Sequence, residues 1–247
     1  MPTPWDADTY DRASGPQQQW ASAVLDRVKP RLAPGDRVLD VGCGTGRVTE
    51  ALLGLAPGLT VLAIDASSDM VEGARERLGD RATVWCADVL DLVLGEPVDA
   101  VVSTAALHWV PDHDRMWERI ANALRPGGAL EVQCGGAGNI ARVVEAIDAT
   151  VGGGFPELAG WSPWTFATPE ETTARLERAG FADIRCGLQP QPTHPEDLQG
   201  FVRSSILPAH LHRLAPERRE AFATGVLERV EEPLDYVRLN VSATRAG

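Results

Sequence analysis

The chain has 247 residues, 44% of them hydrophobic, and its 35 acidic side chains outweigh 23 Lys and Arg for a net charge of −12. Such a surface repels phosphate backbones and anionic headgroups, which disfavours nucleic-acid and membrane partners. No apolar run reaches the length of a membrane span and no secretory pattern opens the sequence, so a cytoplasmic location is expected.

In chain order, Gln17–Val28 reads as the first clear helix, and Val38–Val41 as a buried strand of branched apolar residues. The strand runs into Asp40-Val41-Gly42-Cys43-Gly44-Thr45-Gly46-Arg47, a turn in which glycines alternate with small residues before a helix over Arg47–Leu55. Glycines at such a turn let the backbone pass close to a ligand and take positive φ without strain. The dinucleotide fingerprint is G-x-G-x-x-G, whereas the spacing here is G-x-G-x-G with Arg47 in the last place. Asp40 would also repel a pyrophosphate, which opposes an NAD-binding oxidoreductase. A sulfonium nucleotide with an amino-acid tail satisfies both the spacing and the acid.

Strands are next expected at Val61–Ile64, Thr83–Cys86, Ala100–Ser103 and Ala129–Cys134, separated by helices at Ser67–Leu78, Leu90–Leu94 and Asp112–Leu124. This alternation implies βαβ units and a parallel sheet. Ser67, Ser68 and Asp69 offer caps before Met70, and Pro126-Gly127-Gly128 stops the helix ahead of the fifth strand. Helices follow at Asn139–Val151, Pro169–Ala179, Glu196–Ile206 and Pro216–Val230, with strands at Ile184–Leu188 and Tyr236–Thr244. Cys43, Cys86, Cys134 and Cys186 are scattered without C-x-x-C pairs or histidines at ligand spacing, so no metal site is expected. Ligands lie at the carboxyl ends of strands in open α/β sheets, which directs attention to Ser103-Thr104-Ala105-Ala106-Leu107-His108-Trp109-Val110. There Trp109 is a candidate pocket wall and His108 a hydrogen-bond donor or base. Trp161, Trp164 and Phe166 cluster beyond it, and Arg203, His210, His212 and Arg213 are candidate anion contacts.

Val38–Gly46 resembles motif I of the class I S-adenosylmethionine (SAM)-dependent methyltransferases. Asp65, at the end of the second strand, stands where that family keeps a ribose-binding acid, and Asp88 resembles the residue that meets the adenine amino group. Leu124–Gly128 resembles the loop before the family's fifth strand. The segment around His108-Trp109 is similar to the trans-aconitate methyltransferase group and related small-acid carboxyl methyltransferases, although Thr104 replaces an asparagine frequent there. Trp5–Tyr10 and Phe201–Pro208 resemble further stretches of the same group. The resemblance implies an α/β, Rossmann-like fold with a mostly parallel seven-stranded sheet, helices on both faces and a small helical cap. It divides the chain into a helical segment closing over the cofactor (1–34), a SAM-binding core (35–136), and completion of the sheet plus a substrate cap (137–247). The implied SAM contacts are Asp40, Gly42, Cys43, Gly44, Gly46, Asp65, Ala66, Met70, Asp88, Val89 and Thr104, with S-adenosylhomocysteine (SAH) as product. The catalytic pair is expected to be His108 and Trp109, and acceptor contacts are expected at Gln18, Trp109, Trp164 and Arg203. The plainer readings of Gln18, Trp164 and Arg203 are a solvated helix, lid packing and a charged face. The implied acceptor is a small molecule, most simply a carboxylate, and the protein a monomer or homodimer. The alternatives are O- or C-methylation with His108 as base, or a non-catalytic module of the same fold. A tricarboxylate would call for several converging arginines, and the cap offers few.

Overall fold

The computed structural model describes residues 15–247, with side chains from Trp20 onward. The Trp5–Tyr10 stretch and the Gln18 side chain therefore lie outside the described residues. Seven strands form one sheet in the order β3-β2-β1-β4-β5-β7-β6. β1 (Arg37–Val41), β2 (Thr60–Asp65), β3 (Thr83–Cys86), β4 (Val98–Thr104) and β5 (Leu124–Gly135) run parallel. β7 (Val237–Arg245) is inserted antiparallel between β5 and β6 (Phe181–Pro190).

The central strands are apolar on both faces because both are covered. On one face Val38, Val61, Ala100, Val102 and Ala129 pack with Val24 and Val28 of α1 (Gly15–Val28) and Leu52 of α2 (Arg47–Leu52). Ala63 on the same face meets Val71, Ala74 and Leu78 of α3 (Ser68–Leu78). The residues between them, Leu39, Val41, Val101, Leu130 and Val132, face Met116, Trp117 and Ile120 of α4 (His113–Ala123) and Leu176 of α5 (Pro169–Arg178). A separate core holds the cap. It gathers Val143 and Ile147 of α6 (Ala141–Gly152), Phe201 of α7 (Leu198–Phe201), the Val202–Ile206 turn, α8 (Pro208–Arg213) and Phe222 of α9 (Pro216–Leu227). Trp20 and Tyr236 join this second core from α1 and the approach to β7.

A polar stripe crosses the sheet beneath α1. Glu131, Gln133 and Gly135 of β5 lie in register with Ser242, Asn240 and Arg238 of β7. Buried Glu131 receives Arg27 Nε and Arg31 Nη1, each at 3.0 Å, and the Ser242 hydroxyl. Gln133 Nε2 donates to Asn240 Oδ1 at 2.9 Å. A buried carboxylate needs such partners, since removal of one costs about 3–5 kcal/mol. The arginines thereby fix α1 to the sheet.

Three elements differ from the sequence expectation. Leu90–Leu94 is one 3₁₀ turn, Val89–Asp91, capped by Asp88; the stretch before Gly95 is too short to sustain a helix. β5 begins already at Leu124, before Pro126-Gly127-Gly128, with a register shift against β4 between Val98 and Ala100. The helix expected over Glu196–Ile206 starts at Leu198 and widens into a π turn over Val202–Ile206. Pro208 explains the widening: it has no N–H for the Ser204 carbonyl, and its ring crowds that group.

Candidate active site

The chain order of the strands reverses between β1 and β4, and a cavity of about 510 Å³ opens there at their carboxyl ends. Gly42 lets the two loops meet: its φ is +73°, and a Cβ there would lie 2.1 Å from the Ala106 Cβ. Gly44 faces open space and donates its N–H to Asp65 Oδ2 at 2.9 Å. Gly46 serves packing instead, for a Cβ would press on Leu78 and Ala74 of α3 at 3.0 and 3.2 Å, and it does not border the cavity. Asp65 Oδ1 accepts from Ser67 N at 2.9 Å, and Asp65 lines the cavity. Burial raises the Asp65 pKa, and the N–H groups of Ser67, Gly44 and Ala66 oppose the shift.

Ala66, Met70, Asp88, Val89 and Thr104 border the same cavity. Asp88 also caps the following turn, accepting from Leu90 N at 2.9 Å. Asp40 sits behind the turn, fully buried and off the cavity wall, with Oδ2 accepting from Thr49 Oγ1 at 2.7 Å. Its Oδ1 has no partner among the described residues. Burial pushes its pKa up to about 7, opposed by the Thr49 hydrogen bond and assisted by the Asp65 charge. Cys43 borders an adjoining cavity of about 340 Å³ that shares Gly42, Gly44, Thr104 and Ala105 with the first. Burial drives its thiol pKa upward, so Cys43 acts as a small apolar side chain.

At the other end of the cavity, Ala105 takes a φ of 56° and turns the chain into Leu107-His108-Trp109. His108 is buried, and its Nδ1 accepts from Gly135 N at 3.3 Å, so Nε2 carries the proton. Burial, then Arg238 and His113, hold the ring well below the ordinary imidazole pKa. It is a neutral donor with its acceptor nitrogen already used. Trp109 walls the cavity, its ring 5.4 Å from His108 and 5.6 Å from Trp164. Trp164 stands behind it, stacked on Phe166 at 5.6 Å, and the wall position falls to Trp161.

The cap cations do not converge on the cavity. Arg203 forms a two-pronged pair with exposed Glu220 at 2.9 and 2.7 Å. His210 is buried among Trp161, Trp164 and Phe222, and burial lowers its pKa to about 4. His212 is exposed, and Arg213 lies over the Trp161 ring at 4.9 Å.

Among the described residues the arginine that does border the cavity is Arg238, which sequence reasoning missed. It is 1% exposed and lies 4.2 Å over the Trp20 ring and 5.9 Å from Tyr236, all three bordering the cavity. Its strand partner Gly135 is the residue that donates to His108, so one glycine of β5 joins the imidazole to the cation. A Cβ at Gly135 would strike Phe166 at 2.7 Å and Asn139 at 2.9 Å. The available signal was the period of the last strand, which puts Arg238 in line with Asn240 and Ser242 on one face.

A family model described as a methyltransferase domain matches residues 38–128. An uncharacterised methyltransferase of Schizosaccharomyces pombe is 32% identical over 187 residues, 72% of this chain and 70% of its own length. A trans-aconitate 2-methyltransferase of Rhizobium etli is 30% identical over 235 residues, 92% of this chain and 90% of its own. The chain belongs to the class I SAM-dependent methyltransferases. Trans-aconitate 2-methyltransferases of Methylobacterium nodulans and Mycobacterium tuberculosis match this methyltransferase more closely, at 40% and 39% identity, but over about half of their own length. The methyltransferase also shares its fold with a Haemonchus contortus phosphoethanolamine N-methyltransferase solved with SAM: TM-score 0.64 and 22% identity, over 97% of this chain and 56% of that one. The methyltransferase depends on SAM, and no helix among its described residues is long and apolar enough to cross a membrane.

Proposed function

We propose that this methyltransferase transfers the methyl group to a carboxylate oxygen of a small molecule. The observation that carries this reading is Arg238, a buried cation on the cavity wall, tied through Gly135 to the neutral N–H donor of His108. A guanidinium beside a donor suits a planar, two-oxygen anion. The trans-aconitate methyltransferases among its relatives support the same class of acceptor.

The cofactor end fits SAM. Gly44 leaves the space a side chain would fill, Asp65 presents lone pairs suited to ribose hydroxyls, and Asp88 a carboxylate suited to the adenine amino group. Asp40, buried behind the turn and bonded to Thr49, supports the turn from off the cavity wall. Bound there, SAM supplies an activated methyl group and its own leaving group.

What remains for the protein is position. A carboxylate with pKa near 4 is ionised at neutral pH, so it needs orientation and no base. Arg238 and the His108 Nε2–H hold it, while Trp109 closes the wall and excludes water. Alignment of this kind lowers a barrier by roughly 7–11 kcal/mol. The alternative with His108 as base loses support, since the Nδ1 lone pair is taken by Gly135 N. The test is to incubate the protein with SAM and a panel of small carboxylic acids, following SAH release and methyl esters by mass spectrometry. Ester formation is expected. Methyl ethers or methylamines from hydroxyl or amine acceptors, with no ester from any acid, would overturn the reading.

A further inference from the structure

We propose that the acceptor is a single-anion acid on an apolar body, held by Arg238, His108 and Ser205, and that di- and tricarboxylates are excluded. The inference rests on the carboxylate reading above and names the class of acid. Arg238 is the one cationic group among the described residues bordering the cavity, and two acids, Asp65 and Asp88, line the same cavity. With His108 neutral, a tricarboxylate would bring three more negative charges to a cavity whose described lining already sets two acids against one cation. The arginines of the cap give no relief. Arg203 is spent on Glu220, Arg218 on Glu157, and Arg213 lies over Trp161.

The polar groups of the acceptor end also match one carboxylate. A carboxylate accepts up to about four hydrogen bonds. Arg238, His108 and Ser205 border the same cavity. Ser205 Oγ is buried and has no hydrogen-bond partner among the described residues, which leaves it available to an acceptor oxygen. It stands on the π turn Val202–Ile206, the kind of irregular turn that recurs at functional sites. Leu107, Trp109, Val110, Trp161 and Pro163 supply an apolar stretch of the same wall, beside the polar Ser162 and Tyr236. Such a surface gains from burying a hydrocarbon or aromatic body and loses by desolvating a second carboxylate without a partner.

The test is calorimetric titration of the SAH-loaded protein with octanoate, benzoate and trans-aconitate, paired with turnover of the same acids. Octanoate or benzoate is expected to bind at least tenfold tighter than trans-aconitate and to be esterified. Ser205→Ala is expected to weaken the bound monoacid several-fold while leaving SAH affinity unchanged. Trans-aconitate binding as well as or better than both monoacids overturns the inference, and so does the absence of binding by all three acids. Esterification of trans-aconitate in preference to the monoacids overturns it while leaving carboxyl methylation standing. Monoacids that bind as expected but are never esterified, with turnover only on hydroxyl or amine acceptors, overturn the carboxylate reading instead.

Discussion

The two ends of the cavity are built by different means. The cofactor end is assembled from short contiguous stretches at the tips of β1, β2 and β3, with backbone N–H groups and carboxylates as its working parts. The acceptor end draws Trp20 from α1, His108 from the loop after β4, Gly135 from β5, Ser205 from the cap and Arg238 from β7. A shared cofactor can be met by one local geometry, whereas an acceptor is met by side chains collected from across the fold.

Substitutions test this division. Arg238→Met should have the largest effect, lowering kcat/KM for the acceptor by about a hundredfold or more, the scale of losing a buried charge contact. SAH affinity by calorimetry should stay within about threefold; a parallel loss would make Arg238 part of the cofactor end. Asp65→Ala should act in the opposite sense, weakening SAH by roughly 10–100-fold, or about 1–3 kcal/mol for charge-assisted hydrogen bonds. Unchanged SAH affinity would remove Asp65 from the cofactor end. Trp109→Ala should slow methyl transfer up to about tenfold, the worth of an aromatic contact, while sparing SAH binding.

Asp40→Asn probes the buried acid behind the turn. The folded pKa of Asp40, about 7, lies above its ordinary 3.8, so the fold favours the protonated form. Its contribution to stability is full below pH 4 and is lost as pH rises through 7. Asparagine does not ionise, so the melting temperature of the ligand-free variant should gain on the parent from pH 5 to about pH 7 and level off above it. A difference independent of pH would show that Asp40 is ionised throughout. Arg203→Ala should have the smallest effect, under about twofold on acceptor kinetics, because an exposed pair contributes roughly 0–1 kcal/mol. A large rise in KM would bring Arg203 back to the acceptor.

What was legible in the sequence follows the same division. β1 to β4 and the glycine turn could be read because their determinants are local: apolar runs, the cap at Ser67, and the Gly42–Gly46 spacing. Within that turn the spacing did not separate Gly44, which faces the cavity, from Gly46, which makes room for α3. The acceptor end was harder. Arg203 reads as an anion site until the fold brings Glu220 beside it, and Trp164 reads as a wall until Trp161 is seen in front. Arg238 reads as one polar residue in an alternating strand, since its meaning depends on Trp20, more than two hundred positions away.

Gly135 gives the acceptor end an evolutionary asymmetry. Because Phe166 and Asn139 leave no space for a side chain there, the backbone that orients His108 and pairs with Arg238 has little freedom to mutate. Trp161 and Ser205 sit on cap segments outside the sheet. On the carboxylate reading proposed above, descendants of this chain diversify the body of the acid by exchanging cap residues while inheriting the headgroup contact intact.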